Sequence, residues 1–108
     1  MRVVPQTVQA LTIYDAPALD PINVVLQDFG PGNGRIIIEC YGKAWTKYWG
    51  AMGSQRIAEF FCGVDVGYLV NKLHNDTRRL KKADEAYMVR IIEAVRAALQ
   101  PAELARAA

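Results

Sequence analysis

In the first half of the chain, apolar positions come in short β-prone runs; in the second half they recur every three or four residues. Residues 7–14 carry Val8, Leu11, Ile13 and Tyr14 and predict a first strand. Residues 22–27 predict a second and 35–40 a third, with Gly30, Pro31, Gly32, Asn33 and Gly34 between them. Two β-prone runs flanking a Gly/Asn-rich turn predict an antiparallel hairpin over 22–41 that turns at 30–34. In the third strand Ile36, Ile38 and Cys40 share one face, and Ile37, Glu39 and Tyr41 share the other. Apolar residues on both faces mark a central or well-covered strand. Residues 43–49 fit two patterns. Alternation would make them a fourth strand, whereas Trp45, Tyr48 and Trp49 also fit a helical stripe. The lack of Val and Ile, with Gly50 and Gly53 behind, favours the helix.

From Ser54 onward the period is helical. Ser54 is the expected cap of a short helix running to about Cys62 and burying Ile57, Phe60 and Phe61. Asp65 caps a second, with Val66, Leu69, Val70 and Leu73 inward. Thr77 caps a third and longest, whose stripe is Leu80, Ala83, Tyr87, Ile91, Ala94, Val95 and Ala98, stopped by Pro101. Residues 1–6, with Pro5, and the Ala-rich 102–108 are expected to fray. Strands followed by helices without alternation predict an α+β fold. The expected architecture is a small antiparallel sheet of three strands, with room for a fourth, and C-terminal helices packed on one face. At 108 residues the chain is one domain, large enough to build a core without metal or disulfide.

Composition changes this picture in two places. The cysteines, Cys40 and Cys62, and the single histidine, His74, are too few for a cysteine-rich zinc site, so reduced thiols and no metal are expected. No apolar run approaches a membrane span, and residues 1–6 do not open a secretory signal. The net charge of +2 is unevenly spread: residues 1–71 hold five Lys/Arg against six Asp/Glu, and residues 72–108 hold eight against five. Lys72, Arg78, Arg79, Lys81 and Lys82 form a local basic cluster opposed only by Asp76.

Residues 12–53 hold a DAPALDPI loop, an LQDFGPGNGRIIIECYG hairpin and an AWTKYWGAMG run, and IAEFFCGVDVGYLVNKL follows. Together they resemble a group of small uncharacterised proteins of phage and prophage genomes. The resemblance implies an accessory role in a bacterial cytoplasm, and it brings no activity, cofactor or catalytic residue with it.

Candidate chemistry comes from the residues themselves. Gly30, Gly32 and Gly34 form a G-x-G-x-G pattern, but a strand follows where a phosphate loop needs a helix, so turn glycines are expected. Asp28, Glu39 and Lys43 loosely suggest a metal-dependent nuclease, although Glu39 and Lys43 stand too far apart for the usual pair. His74 falls at a helix end, where a cation suits the dipole. Trp45, Tyr48 and Trp49, threaded with Lys43 and Lys47, form a candidate interface if exposed and a core edge if buried. Lys72, Arg78, Arg79, Lys81 and Lys82 surround a helix–helix joint that can hold phosphates, with Arg78 and Arg79 expected at a helix start that disfavours cations. The sequence therefore points to a non-enzymatic protein without cofactor that binds a nucleic acid or nucleoprotein through this joint. The rival is a protein-binding inhibitor or modulator of a host defence or replication factor, and a nuclease stands third.

Overall fold

The computed structural model describes residues 1–74 and 78–107. Four strands, β1 (Gln9–Ile13), β2 (Ile22–Asp28), β3 (Gly34–Cys40) and β4 (Lys43–Trp49), precede four helices, α1 (Ile57–Gly63), α2 (Val66–Leu73), α3 (Lys82–Ala98) and α4 (Pro101–Ala107). The strands form one antiparallel meander in the order β1-β2-β3-β4. This is the expected α+β architecture.

Strand alternation decides what is buried. Leu11, Val24, Ile38 and Trp45 lie in one cross-strand row on the helix side, and Leu26 and Ile36 in the next. Ile22, Val24, Leu26, Ile36, Ile38 and Cys40 are buried, and α1–α3 cover them with Ile57, Phe61, Leu69, Leu73, Ile91, Ile92 and Val95. The other sheet face carries Thr12, Asn23, Glu39 and their row-mates. There Thr12 Oγ1 donates to Asn23 Oδ1 at 2.8 Å, and Asn23 Nδ2 donates to Glu39 Oε1 at 2.7 Å.

Residues 43–49 are a strand, not the favoured helix. The reason lies just before them. Tyr41 (φ 51°) and Gly42 (φ 77°) are both left-handed, and Cys40 pairs with Lys43, so a two-residue turn of the I′ kind reverses the chain. Tyrosine is an uncommon residue for that position, so the turn gives little signal in the sequence. With the chain reversed, the run pairs along the whole of β3.

The 22–41 hairpin forms as expected, with its turn shifted by one residue to 29–33 because Gly34 already belongs to β3. Asp28 Oδ1 accepts from the Gly30 N–H at 2.9 Å, and the Phe29 N–H donates to the Asn33 carbonyl at 3.1 Å. Gly34 is required by packing: a Cβ there would meet the Ile57 Cβ at 2.8 Å and the Gln27 carbonyl at 3.0 Å. Gly34→Ala is therefore expected to cost about 1–3 kcal/mol, the range of core overpacking, read as a urea midpoint shift. A neutral result would mean that α1 does not seat on β3 through Ile57.

The helix starts are displaced from two of the expected caps. The N-cap of α1 is Arg56, two residues past Ser54, and its N–H donates to Glu59 Oε1 at 3.1 Å. Asp65 caps α2 as expected, accepting from the Tyr68 N–H at 3.1 Å. Thr77 and Asp76 lie outside the described residues. The regular part of α3 begins only at Lys82, so Leu80 packs against the core from the segment before it. Ala83 is exposed, and Met88 and Ile92 join Ile91 and Val95 inside. Pro101 opens α4 where a stop and a fraying tail were expected. A proline at the first helical position lacks only an N–H that would be unpaired there anyway.

Arg96 of α3 ties the helical layer together. Its guanidinium donates to the Val64 carbonyl at 2.9 Å and to the Cys62 carbonyl, so it satisfies the end of α1 from a neighbouring helix.

Candidate nucleic-acid interface

Three of the five basic residues, Arg78, Arg79 and Lys81, line one concave corner. α2 ends at Leu73 with His74 as its C-cap, and the His74 N–H donates to the Val70 carbonyl at 2.9 Å. The His74 ring then crosses the joint to the Arg78 carbonyl at 2.8 Å. A carbonyl oxygen only accepts, so Nε2 carries the proton in this bond. Residues 78–81 run on into α3, with Lys81 as its N-cap. Two adjoining hollows of about 330 and 180 Å³ share His74, Arg78, Arg79 and Leu80 in their walls; Asn71 and Glu85 belong to the larger, Lys81 and Asp84 to the smaller.

Lys72, Arg78, Arg79, Lys81 and Lys82 are all exposed. The Lys72 ammonium lies 5.6 Å from the Tyr68 ring one turn back, which holds its stem along α2. Lys81 and Lys82, rather than Arg78 and Arg79, occupy the positive end of α3, so the expected placement of the two arginines at a helix start is corrected. Asp84 and Glu85 in the first turn offset part of that charge. His74 was expected only at a helix end, yet it also pins residue 78 to α2. The sequence offers no signal for that second role.

The aromatic candidate interface does not form as a platform, because β4 sends alternate residues to opposite sides. Trp49 is buried and Trp45 partly so. Trp49 Nε1 donates to the Tyr68 hydroxyl at 2.9 Å, and its ring lies 5.3 Å from Phe60. Trp45 packs 6.2 Å from Tyr87. The Lys43 ammonium and the Arg90 guanidinium stand 5.9 and 5.8 Å from that same Tyr87 ring. The Tyr87 hydroxyl is pushed up to about 12, first by hydrogen bonding with the Cys40 thiol and then by burial. Lys47 faces the helix side opposite Ile36. Tyr48 alone turns to the open face, where it meets Phe29 at 6.2 Å and the Arg35 guanidinium at 5.6 Å.

The carboxylates of the nuclease alternative are also separated. Asp28 pairs with Gly34 at one end of the hairpin and binds Arg56 at 3.2 Å. Glu39 pairs with Asn23, five residues along β2 and so about 17 Å away. The Asn23 amide and the Gly42 N–H hold the Glu39 carboxyl below its usual range. Among the described residues no three His, Cys, Asp or Glu side chains converge as metal ligands. Cys40 and Cys62 are free thiols, and burial pushes the Cys62 thiol up against the opposing pull of Arg96. Among the described residues no helix is long and apolar enough to cross a membrane.

No curated protein and no solved structure matches the chain. A family of phage proteins does, over residues 1–100, which takes in the sheet, α1, α2 and the whole basic joint. The chain therefore belongs to that phage family, Phage_phiTE_072.

Proposed function

We propose that this protein is a non-enzymatic phage accessory protein that binds a nucleic acid or nucleoprotein in the bacterial cytoplasm. The observation that carries the reading is the concave corner at the α2–α3 joint, where Arg78, Arg79 and Lys81 share one exposed surface with His74. Cations gathered on a hollow can reach several phosphates of one strand, and such contacts position a nucleic acid without reading its sequence. The test is a titration of the protein against duplex DNA and against RNA at several salt concentrations. With up to four phosphates engaged, log K should fall against log salt with a slope of about −3 to −4 on duplex DNA. Absence of binding near physiological salt would refute the reading. A modulator of a host defence or replication factor would then lead, with exposed Phe29 and Tyr48 on the open sheet face the first residues to change.

A further inference from the structure

We propose that two copies of this chain pack face to face through the open side of the sheet, about a two-fold axis that crosses the strands at Ile37. The helices cover the other side. The open side consists of three cross-strand rows. Ala10, Val25, Ile37 and Thr46 form the middle row. Thr12, Asn23, Glu39 and Ala44 lie to one side of it, and Gln27, Arg35 and Tyr48 to the other. Val25 and Ile37 are partly exposed at the centre. Alternation carried one residue past the strand ends adds Val8, Tyr14 and Phe29, and all three, like Tyr48, are exposed. Large apolar side chains gathered on one exposed face mark an interaction surface.

The occupant follows from how the face is arranged about its middle row. Arg35 and Glu39 are the only charged residues of the three rows, and they stand two residues either side of Ile37. On β4 the large Tyr48 and the small Ala44 flank Thr46 in the same way, and on β2 the amides Gln27 and Asn23 flank Val25. An axis along the middle row lays each strand of the second copy over its own counterpart, running in the opposite direction. Ile37 then meets Ile37 and Val25 meets Val25. Arg35 faces Glu39 of the second copy, Tyr48 faces Ala44, and Gln27 faces Asn23, each match occurring twice. Cation meets anion, large meets small and amide meets amide, so the face is complementary to itself, as an isologous interface requires. An axis along the strands would set Arg35 over Gln27 and Glu39 over Asn23, leaving both charges unmatched.

Both charged groups have capacity to spare. The Arg35 guanidinium gives one N–H to Gln27 Oε1 at 2.9 Å and keeps the rest. The Glu39 carboxylate accepts from Asn23 Nδ2 and the Gly42 N–H and has further lone pairs free for a guanidinium. Sheets packed face to face stand about 10 Å apart, a gap that an arginine and a glutamate span together. Four strands spaced about 4.8 Å, each seven residues long at about 3.3 Å per residue, present roughly 440 Å² per copy. The two faces and their exposed rims together reach the roughly 1,000 Å² at which specific interfaces begin.

The test is molar mass by light scattering at concentrations up to about 1 mM. The wild type should approach twice the 12.0 kDa of the single chain. Glu39→Arg sets like charges against each other twice and should weaken the dimer by about tenfold or more. Arg35→Glu combined with Glu39→Arg makes the same positions attractive again and should restore it. Ala10→Glu, exposed and on the axis, opposes two carboxylates without touching either charged residue and should also weaken the dimer by about tenfold or more. Circular dichroism checks that each variant keeps the fold, and Ala10→Glu decides alone if the charge swap does not fold. A wild type that stays at 12.0 kDa overturns the proposal. So does a dimer indifferent to Glu39→Arg or to Ala10→Glu, or a folded charge swap no better than Glu39→Arg.

Discussion

Phe61→Ala should remove about 3–5 kcal/mol of stability, the cost of emptying a fully buried phenylalanine site. Phe61 is the largest of the side chains completely withdrawn from solvent. It sits on α1, which packs on β2 and β3, and belongs to the one core cluster that the sheet and helices share, so neighbours on several elements would have to move to close the space. Domains of this size hold about 5–15 kcal/mol in total, so the variant should unfold at a much lower urea concentration with an unchanged slope. Thermally, each kcal/mol corresponds to roughly 4–8 °C at this chain length. Ala83→Ser is the matched control. Ala83 is exposed on α3, so its substitution should stay within about 0.5 kcal/mol. A loss below about 1 kcal/mol for Phe61→Ala would show that α1 is not seated in the core.

The contrast between Phe61 and Ala83 shows what kind of information the sequence carries. Ile36, Ile38 and Cys40 were legible because a strand has a period of two and the whole set had to face one way. Leu69, Val70 and Leu73 were legible because Asp65 marks the start of their helix and fixes the phase. Thr77 as a cap puts Leu80 and Ala83 on one helical stripe, but residues 78–81 are not helical and α3 begins at Lys82, with Ala83 exposed in its first turn; Met88 and Ile92 lie beside Ile91 and Val95 on a buried face broader than one stripe. The β4 error has the same form. Without the Tyr41–Gly42 reversal, nothing in 43–49 separates a strand from a helix, and only the strand parts Tyr48 from Trp45 and Trp49. Local pattern thus gave the elements with clear start signals and failed where a turn or cap is formed by residues that rarely form one.

The candidate site was legible as charge and not as shape. Lys72, Arg78, Arg79, Lys81 and Lys82 are visible as a cluster in any reading of the chain. That Arg78, Arg79 and Lys81 border a hollow goes with His74 reaching the Arg78 carbonyl, a contact between a helix cap and a loop that no periodicity encodes. An apolar cleft beside β1 was invisible for a similar reason. Its walls come from the 13–17 segment and from Ala94, Ala97 and Ala98, some eighty residues later in the chain. Small side chains there read as ordinary helix formers until the fold sets them against Ile13.

Changing Arg78, Arg79, Lys81 and Lys82 together to Ala should abolish retention on nucleic acid while leaving stability equal or slightly raised. Four phosphate contacts predict that wild-type affinity falls by about a hundredfold between 50 and 200 mM salt; the variant should show almost no salt dependence because little binding remains. The fold should survive for stated reasons. All four side chains are exposed, and Leu80 between them, which packs on the core, is kept. His74 holds the joint through the backbone carbonyl of Arg78, a contact that truncating the side chain does not remove. Lys81 and Lys82 stand at the positive end of α3, where removing cations relieves an unfavourable interaction with the helix dipole, and alanine is the better helix former at Lys82. A melting temperature that holds or rises while binding disappears would separate a lost phosphate surface from a damaged fold. Binding equal to the wild type would move the interface away from the α2–α3 joint, and a variant that melts well below the wild type would show that these cations support the joint itself.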